Sequence, residues 1–228
     1  MPVTGWVQHR REPWPRPLED RSEAGRLLAD QLERRPLANP IVLGIPRGGV
    51  VVAFEIAQRL GAPLDVLVVR KVGAPGDPEY GLGAVAEGGL VLLDERRARD
   101  AGYSRETLEP EIQRELDEVR QRARRFRGDR APPGLAGRCA VLVDDGVATG
   151  GTVEAAIAVV REQGPASVVV ALGVAPPDAL GRLRRTADEL AVALTPPHLE
   201  AVGQWYHRFE PVEDAEVESL LARARATS

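Results

Sequence analysis

The chain has 228 residues, 43% of them hydrophobic, and a formal net charge of −4 at neutral pH. That length and apolar content fit one α/β domain with an appendage, and the negative balance leaves no electrostatic case for nucleic acid as a main partner. A single cysteine, Cys139, excludes an intramolecular disulfide. With no apolar run approaching the roughly 18 residues of a membrane span, a soluble, cytoplasmic protein that engages no membrane is expected.

Residues 1–17 are rich in Pro and Arg and carry no apolar signal-like core, so they predict an irregular arm. Residues 22–35 predict a helix, with Ala24, Leu27, Leu28 and Leu32 on one side to cover a sheet. A short buried strand follows at 41–45, then Pro46-Arg47-Gly48-Gly49. Next comes a helix with the stripe Val50, Ala53, Phe54, Ala57 and Leu60, stopped by Gly61-Ala62-Pro63. Strand, glycine turn and helix start together make an anion-site architecture. Glycine lets consecutive N–H groups turn inward, and the helix start adds unpaired donors at the positive end of its dipole. Here a cation, Arg47, stands beside the glycines.

Residues 64–69 predict a third strand ending in Arg70-Lys71. Lys71 is the one lysine among thirty basic residues, which hints at a position that wants a compact ammonium. The Gly/Pro-rich stretch 72–89 predicts a long irregular loop, and a loop of that length in a compact domain is usually functional. Within it, residues 81–86 fit G-x-G-x-x-[GA], but no strand precedes them and no helix follows, so a dinucleotide site is set aside. After a short strand at 90–93, residues 104–127 predict a highly charged helix with a narrow seam of Leu108, Ile112, Leu116, Val119 and Ala123. That seam would pack on the domain's own body or on a second subunit. Glu118 and Arg122 should attract each other, and Glu111 and Glu115 repel. Pro132-Pro133-Gly134 forms a linker.

The stretch Val141-Leu142-Val143-Asp144-Asp145-Gly146-Val147-Ala148-Thr149-Gly150-Gly151-Thr152 organises the rest. An apolar run at 139–143 reads as a strand buried on both faces. Two carboxylates mark its end, and a Gly/Thr turn leads into a helix with Val153, Ala156, Ile157 and Val160 on one face. The turn can form an anion-binding nest, to which Thr149 and Thr152 add hydroxyl donors. No Lys follows the glycines, so this is not a nucleotide-triphosphatase loop. An acid pair beside a phosphate makes sense where it accepts hydrogen bonds from hydroxyls on the phosphate's carbon skeleton or holds a divalent cation. A sugar phosphate fits. Strands at 167–174 and 190–194 and a helix at 177–187 complete an α/β pattern, which predicts a doubly wound parallel sheet. Both glycine turns then lie at carboxyl ends of strands, at the topological switch point.

Residues 141–152 resemble the phosphoribosyl diphosphate (PRPP) signature of type I phosphoribosyltransferases, and the resemblance runs over roughly residues 20 to 210. It is closest to a bacterial group of predicted phosphoribosyltransferases that share the PRGG turn, the VRKVGAPGDPE stretch and the VGQWY segment. The resemblance implies transfer of phosphoribosyl from PRPP to a nitrogenous acceptor with Mg2+ as cofactor, in enzymes that are commonly homodimers. It implies that Ala148, Thr149, Gly150, Gly151 and Thr152 hold the 5′-phosphate. Asp144 and Asp145 would serve the ribose hydroxyls or metal-bound water. Arg47, Gly48, Gly49, Arg70 and Lys71 would face the diphosphate, and the loop at about 71–89 would close over PRPP. A small C-terminal hood, 196–228, would supply Trp205 and Tyr206 to stack on the base, unless those rings fill the hood's own core. One rival class is a PRPP-sensing regulator, although no helix-turn-helix signature is present. A sugar-phosphate hydrolase lacks a nucleophile–base pair, because His9, His198 and His207 all lie far in sequence from these motifs.

Overall fold

The computed structural model describes residues 16–227; residues 1–15 of the expected arm lie outside the described residues. Helix α1 (Arg21–Leu32) starts on Asp20, whose carboxylate accepts the Glu23 N–H at 2.8 Å. Strand β1 (Pro40–Gly44) leads into α2 (Gly48–Leu60), which closes on Gly61 in the left-handed region at φ 58°. Strand β2 (Leu64–Val66) is followed by β3 (Val69–Ala74), β4 (Asp77–Ala86) and β5 (Leu90–Leu93). Then come α3 (Glu95–Asp100), α4 (Arg105–Arg127), β6 (Cys139–Gly146), α5 (Gly151–Arg161), β7 (Ser167–Val174), α6 (Pro177–Leu183), β8 (Glu189–Leu194) and α7 (Asp214–Thr227). No helix among the described residues is long and apolar enough to cross a membrane.

The central sheet has five parallel strands in the order β2-β1-β6-β7-β8. Helices cover both faces, and β6 shows why its apolar run is unbroken. Cys139, Val141 and Val143 face a core shared with α1 and α2, while Ala140 and Leu142 face α5 and α6. Successive side chains of a strand point to opposite faces, and at the end of β6 Asp144 and Asp145 both come to lie beside the start of α2.

Two expectations about residues 64–89 are corrected. The predicted strand 64–69 breaks after Val66, and its last residue opens β3 in a second sheet. The stretch 72–89 is no irregular loop but most of an antiparallel sheet, β3-β4-β5, with register shifts at Gly73. Gly83 misled because it serves close approach, since a Cβ there would run into the Leu92 carbonyl of the neighbouring strand, while Gly76, Gly88 and Gly89 take positive φ between the strands. Leu82, Ala84, Val85 and Ala86 are all buried.

The charged helix resolves as α4, capped by a reciprocal Ser104–Thr107 box. Its seam packs on the domain's own β3 and β4, and on α7. The expected Glu111–Glu115 repulsion is relieved, since Glu115 turns to Arg70 at 2.7 Å and Glu111 to Arg114 at 3.7 Å. Arg122 and Glu118 stand 4.0 Å apart.

The segment after β8 runs over the carboxyl ends of β6 and β7 and is bound into the core. A Cβ on Gly146 would meet Val202 at 2.5 Å, and one on Gly173 would fall on the Tyr206 hydroxyl. Leu18 and Tyr206 form a parallel bridge, and α7 packs on α2 and α4.

Candidate active site

β1 and β6 are sheet neighbours, with Gly44 opposite Val143, so the turns that follow them lie side by side. After β1, the Ile45 N–H donates to the Val143 carbonyl at 2.8 Å, the Pro46–Arg47 peptide is cis, and α2 begins at Gly48. Both glycines are dictated by neighbours. A Cβ on Gly48 would fall on the Asp145 carboxylate, and one on Gly49 would lie 2.6 Å from the Val143 carbonyl and 3.0 Å from Asp144 Cα. The start of α2, with its unpaired N–H groups, is therefore pressed against the acid pair.

The turn after β6 is built differently. The Val147 N–H is fixed to the Val174 carbonyl at 2.9 Å, while Ala148 and Thr149 are exposed. Gly150, at φ 82°, caps α5. In the first turn of α5 the N–H groups of Gly151 and Thr152 have no intrahelical acceptor, and they carry the positive end of the helix dipole. Arg182 ties the turn from outside, donating to the Thr149 carbonyl and lying 3.4 Å from Glu154.

The acid pair is asymmetric. Asp145 Oδ2 accepts from Arg21 Nε at 2.7 Å, with the two side chains 15% and 12% exposed. Its carbonyl accepts from the Tyr206 hydroxyl at 2.5 Å. Asp144 Oδ1 accepts the Asp145 N–H at 2.9 Å. Burial first, and then the neighbouring Asp145 charge, pushes the Asp144 carboxyl well above the usual carboxylate range. Burial and the Asp145 charge likewise push the Tyr206 hydroxyl far up.

The sequence model of a phosphoribosyl transferase domain matches residues 19–194, a span holding both turns and the acid pair. The chain belongs to the phosphoribosyl transferase domain family. Two Mycobacterium tuberculosis proteins provisionally named phosphoribosyl transferases are similar to it: MT0597 (strain CDC 1551 / Oshkosh) and Rv0571c (strain ATCC 25618 / H37Rv). Each is 44% identical over 207 residues, which is 91% of this chain and 47% of theirs. The chain thus spans about half the length of these relatives. The crystal structure of TT1426 from Thermus thermophilus superposes with a TM-score of 0.84 at 49% identity, covering 91% of this chain and 98% of that one.

In this phosphoribosyl transferase domain, β3 splits two consecutive cations between its faces. Arg70 pairs with Glu115 of α4, whereas Lys71 lies over the start of α5, its Cδ 3.6 Å from where a Cβ on Gly151 would sit. Both line a cleft of 490 Å³ together with Pro46 and Thr152, so they are brought to both turns. Lys71 also borders a second cleft, of 800 Å³, with Thr149, Gly151, Arg97 and Arg182. The Arg47 guanidinium is half exposed and turned to Asp214 of α7 at 3.6 Å.

Trp205 and Tyr206 are 8% and 6% exposed, and Tyr206 stacks on Phe209 at 5.0 Å, the arrangement of the expected alternative in which the rings fill a core. Their apolar bodies are what close the segment onto the core. Arg21 was not anticipated from sequence, since it lies 124 residues from Asp145. A signal existed all the same: a cation in the first turn of a helix stands at the wrong end of the dipole, which asks for a partner elsewhere.

No group of three or more His, Cys, Asp or Glu able to hold a metal occurs among the described residues. Two adjacent carboxylates, one already paired, make a donor set that suits Mg2+ retaining water and phosphate oxygens, and not an all-protein cage.

Proposed function

We propose that the protein is a phosphoribosyltransferase that uses PRPP and Mg2+ to transfer a phosphoribosyl group to a nitrogenous base, releasing diphosphate. One observation carries this: two glycine turns, each opening a helix, converge on one acid pair at the switch point of the sheet. A ligand with phosphates at two ends and hydroxyls between them complements such a site.

Ala148, Thr149, Gly150, Gly151 and Thr152 would hold the 5′-phosphate by N–H groups and hydroxyls. Asp144, with the Asp145 oxygen not held by Arg21, would accept from the ribose hydroxyls or from metal-bound water. The N–H groups of Gly48 and Gly49, with Arg70 and Lys71, would stabilise charge growing on the diphosphate as its bond to C1 breaks and the acceptor nitrogen bonds to C1. Arg47 would join them by leaving its 3.6 Å contact with Asp214, which Arg125 also holds, at 2.7 Å. Bound Mg2+ would supply charge neutralisation at the phosphate oxygens.

The burial of Trp205 and Tyr206 favours a second reading, a PRPP-binding regulatory module, because it withdraws the rings that would stack on a base. Calorimetric titration with PRPP, with and without Mg2+, followed by diphosphate release against a panel of bases, separates the two. Micromolar Mg2+-dependent binding (about −8 kcal/mol) and release with one base is the expected result. Binding without release for any base selects the regulator, and no binding removes both.

A further inference from the structure

We propose that Arg21 is a positioning residue for the acid pair. By pairing with one oxygen of Asp145 it neutralises that carboxylate and fixes its other oxygen, and lets a polyanionic sugar phosphate bind beside one net negative charge instead of two. The inference rests on the PRPP reading above.

The two carboxylates are adjacent in sequence and both lie at the start of α2, Asp145 at Gly48 and Asp144 Oδ1 3.3 Å from where a Cβ on Gly49 would sit, yet the Arg21 guanidinium is bonded to Asp145. Among the described ion pairs, Arg21 is the single partner of Asp145, at 2.7 Å. Its guanidinium is itself fixed twice more: it donates to the Glu210 carbonyl at 2.9 Å and lies 3.8 Å from the centre of the Phe209 ring. Phe209 stacks on Tyr206, and the Tyr206 hydroxyl returns to the Asp145 carbonyl. The contacts thus form a closed circuit from Asp145 through Arg21, Phe209 and Tyr206 back to Asp145. Gly48 presses on the circuit from the diphosphate side, since a Cβ there would come within 2.8 Å of Arg21 Nε as well as onto the Asp145 carboxylate.

A polyanion placed against two uncompensated carboxylates in a partly buried site meets strong repulsion, because charges interact more strongly away from bulk water. A cation already locked in place removes half of that without reorganising when the ligand arrives. Arg21 does this without touching the ligand, from behind the carboxylate it holds.

The test is the PRPP dissociation constant, measured by calorimetry with Mg2+ present, for wild type, Arg21→Gln, Arg21→Lys, Asp145→Asn and the double variant Arg21→Gln/Asp145→Asn. Thermal unfolding of each protein accompanies it. Arg21→Gln should weaken PRPP by about 10- to 100-fold, the range found when the partners that orient metal-ligating residues are removed. Arg21→Lys should recover most of the loss. The double variant should bind PRPP more tightly than Arg21→Gln alone, because the stranded charge is gone; a purely structural ion pair would show no such recovery. Wild-type affinity in Arg21→Gln, or a double variant no better than the single one, overturns the proposal while leaving the PRPP reading intact. Failure of the wild type to bind PRPP removes both.

Discussion

In the turn after β1 the glycines answer to what lies beside them; in the turn after β6 the glycine at the helix start answers to its own backbone angle. A Cβ on Gly48 or Gly49 would strike the acid pair or its backbone. Gly150 is buried but uncrowded, with nothing nearer than 3.8 Å to where a Cβ would sit, and it adopts φ 82°. One turn is thus wedged into the protein and rigid by contact. The other presents Ala148 and Thr149 to solvent, and its glycine is required by backbone conformation and not by a crowded neighbour. The same sequence signature, glycines between a strand and a helix, arises from two different physical demands.

Substitutions that add a single methyl group break this contrast in graded steps. Gly48→Ala should be the most damaging, because the new Cβ must displace the Asp145 carboxylate from Arg21. Breaking a largely buried pair costs about 3–5 kcal/mol, readable as a lower midpoint in urea unfolding. Gly150→Ala meets Ala179 and Leu183 only at ordinary contact distance and should lose only the cost of a left-handed backbone, about 1–2 kcal/mol, in the same assay. An equal loss for the two would erase the distinction between the turns.

Asp144→Asn sharpens the contrast with an effect of opposite sign. The folded carboxyl has its pKa raised, chiefly by burial, so the folded state holds a proton that the unfolded state has already released. Stability therefore falls as pH rises through the window between the two values, and the full penalty is present above it. Asparagine keeps the acceptor for the Asp145 N–H without the charge. At neutral pH the variant should melt higher, by about 2–4 °C for each kcal/mol relieved in a chain of this size. The gap should close as pH drops below the usual carboxylate range, while diphosphate release is lost at every pH. The smallest effect is expected for Gly151→Ala. Its Cβ would meet only Lys71 Cδ, at an ordinary 3.6 Å, so stability should stay within about 0.5 kcal/mol of wild type.

The parallel core was legible in the sequence because strands buried on both faces read as unbroken apolar runs, as at 139–143 and 167–174. The acid pair and both turns were legible because their chemistry is local and contiguous. The β3-β4-β5 sheet was hidden because Gly81 and Gly83 carry the composition of a loop while sitting in a strand. Helix α3 was missed because six residues with one buried position, Ala98, show no period. Arg21 and the fate of Trp205 and Tyr206 depend on contacts between distant parts of the chain. No local pattern could fix which side of the segment would face inward.

Residues 18–20 are laced to residues 205–208 by backbone pairing and by the Arg208–Asp20 contact, which joins positions 188 apart. During vectorial synthesis this seam closes only after the rest of the matched domain has emerged. A nascent chain that has emerged only to residue 200 already carries the whole matched domain and both glycine turns. Yet its Asp145 lacks the tyrosine hydroxyl, and its Arg21 lacks both the ring and the carbonyl that hold it. Competence for a charged ligand would then arrive late, with the segment after β8, and contacts of such long sequence separation are the kind that slow folding most. In this protein a stretch made well after both turns finishes a site whose named groups lie tens of residues upstream.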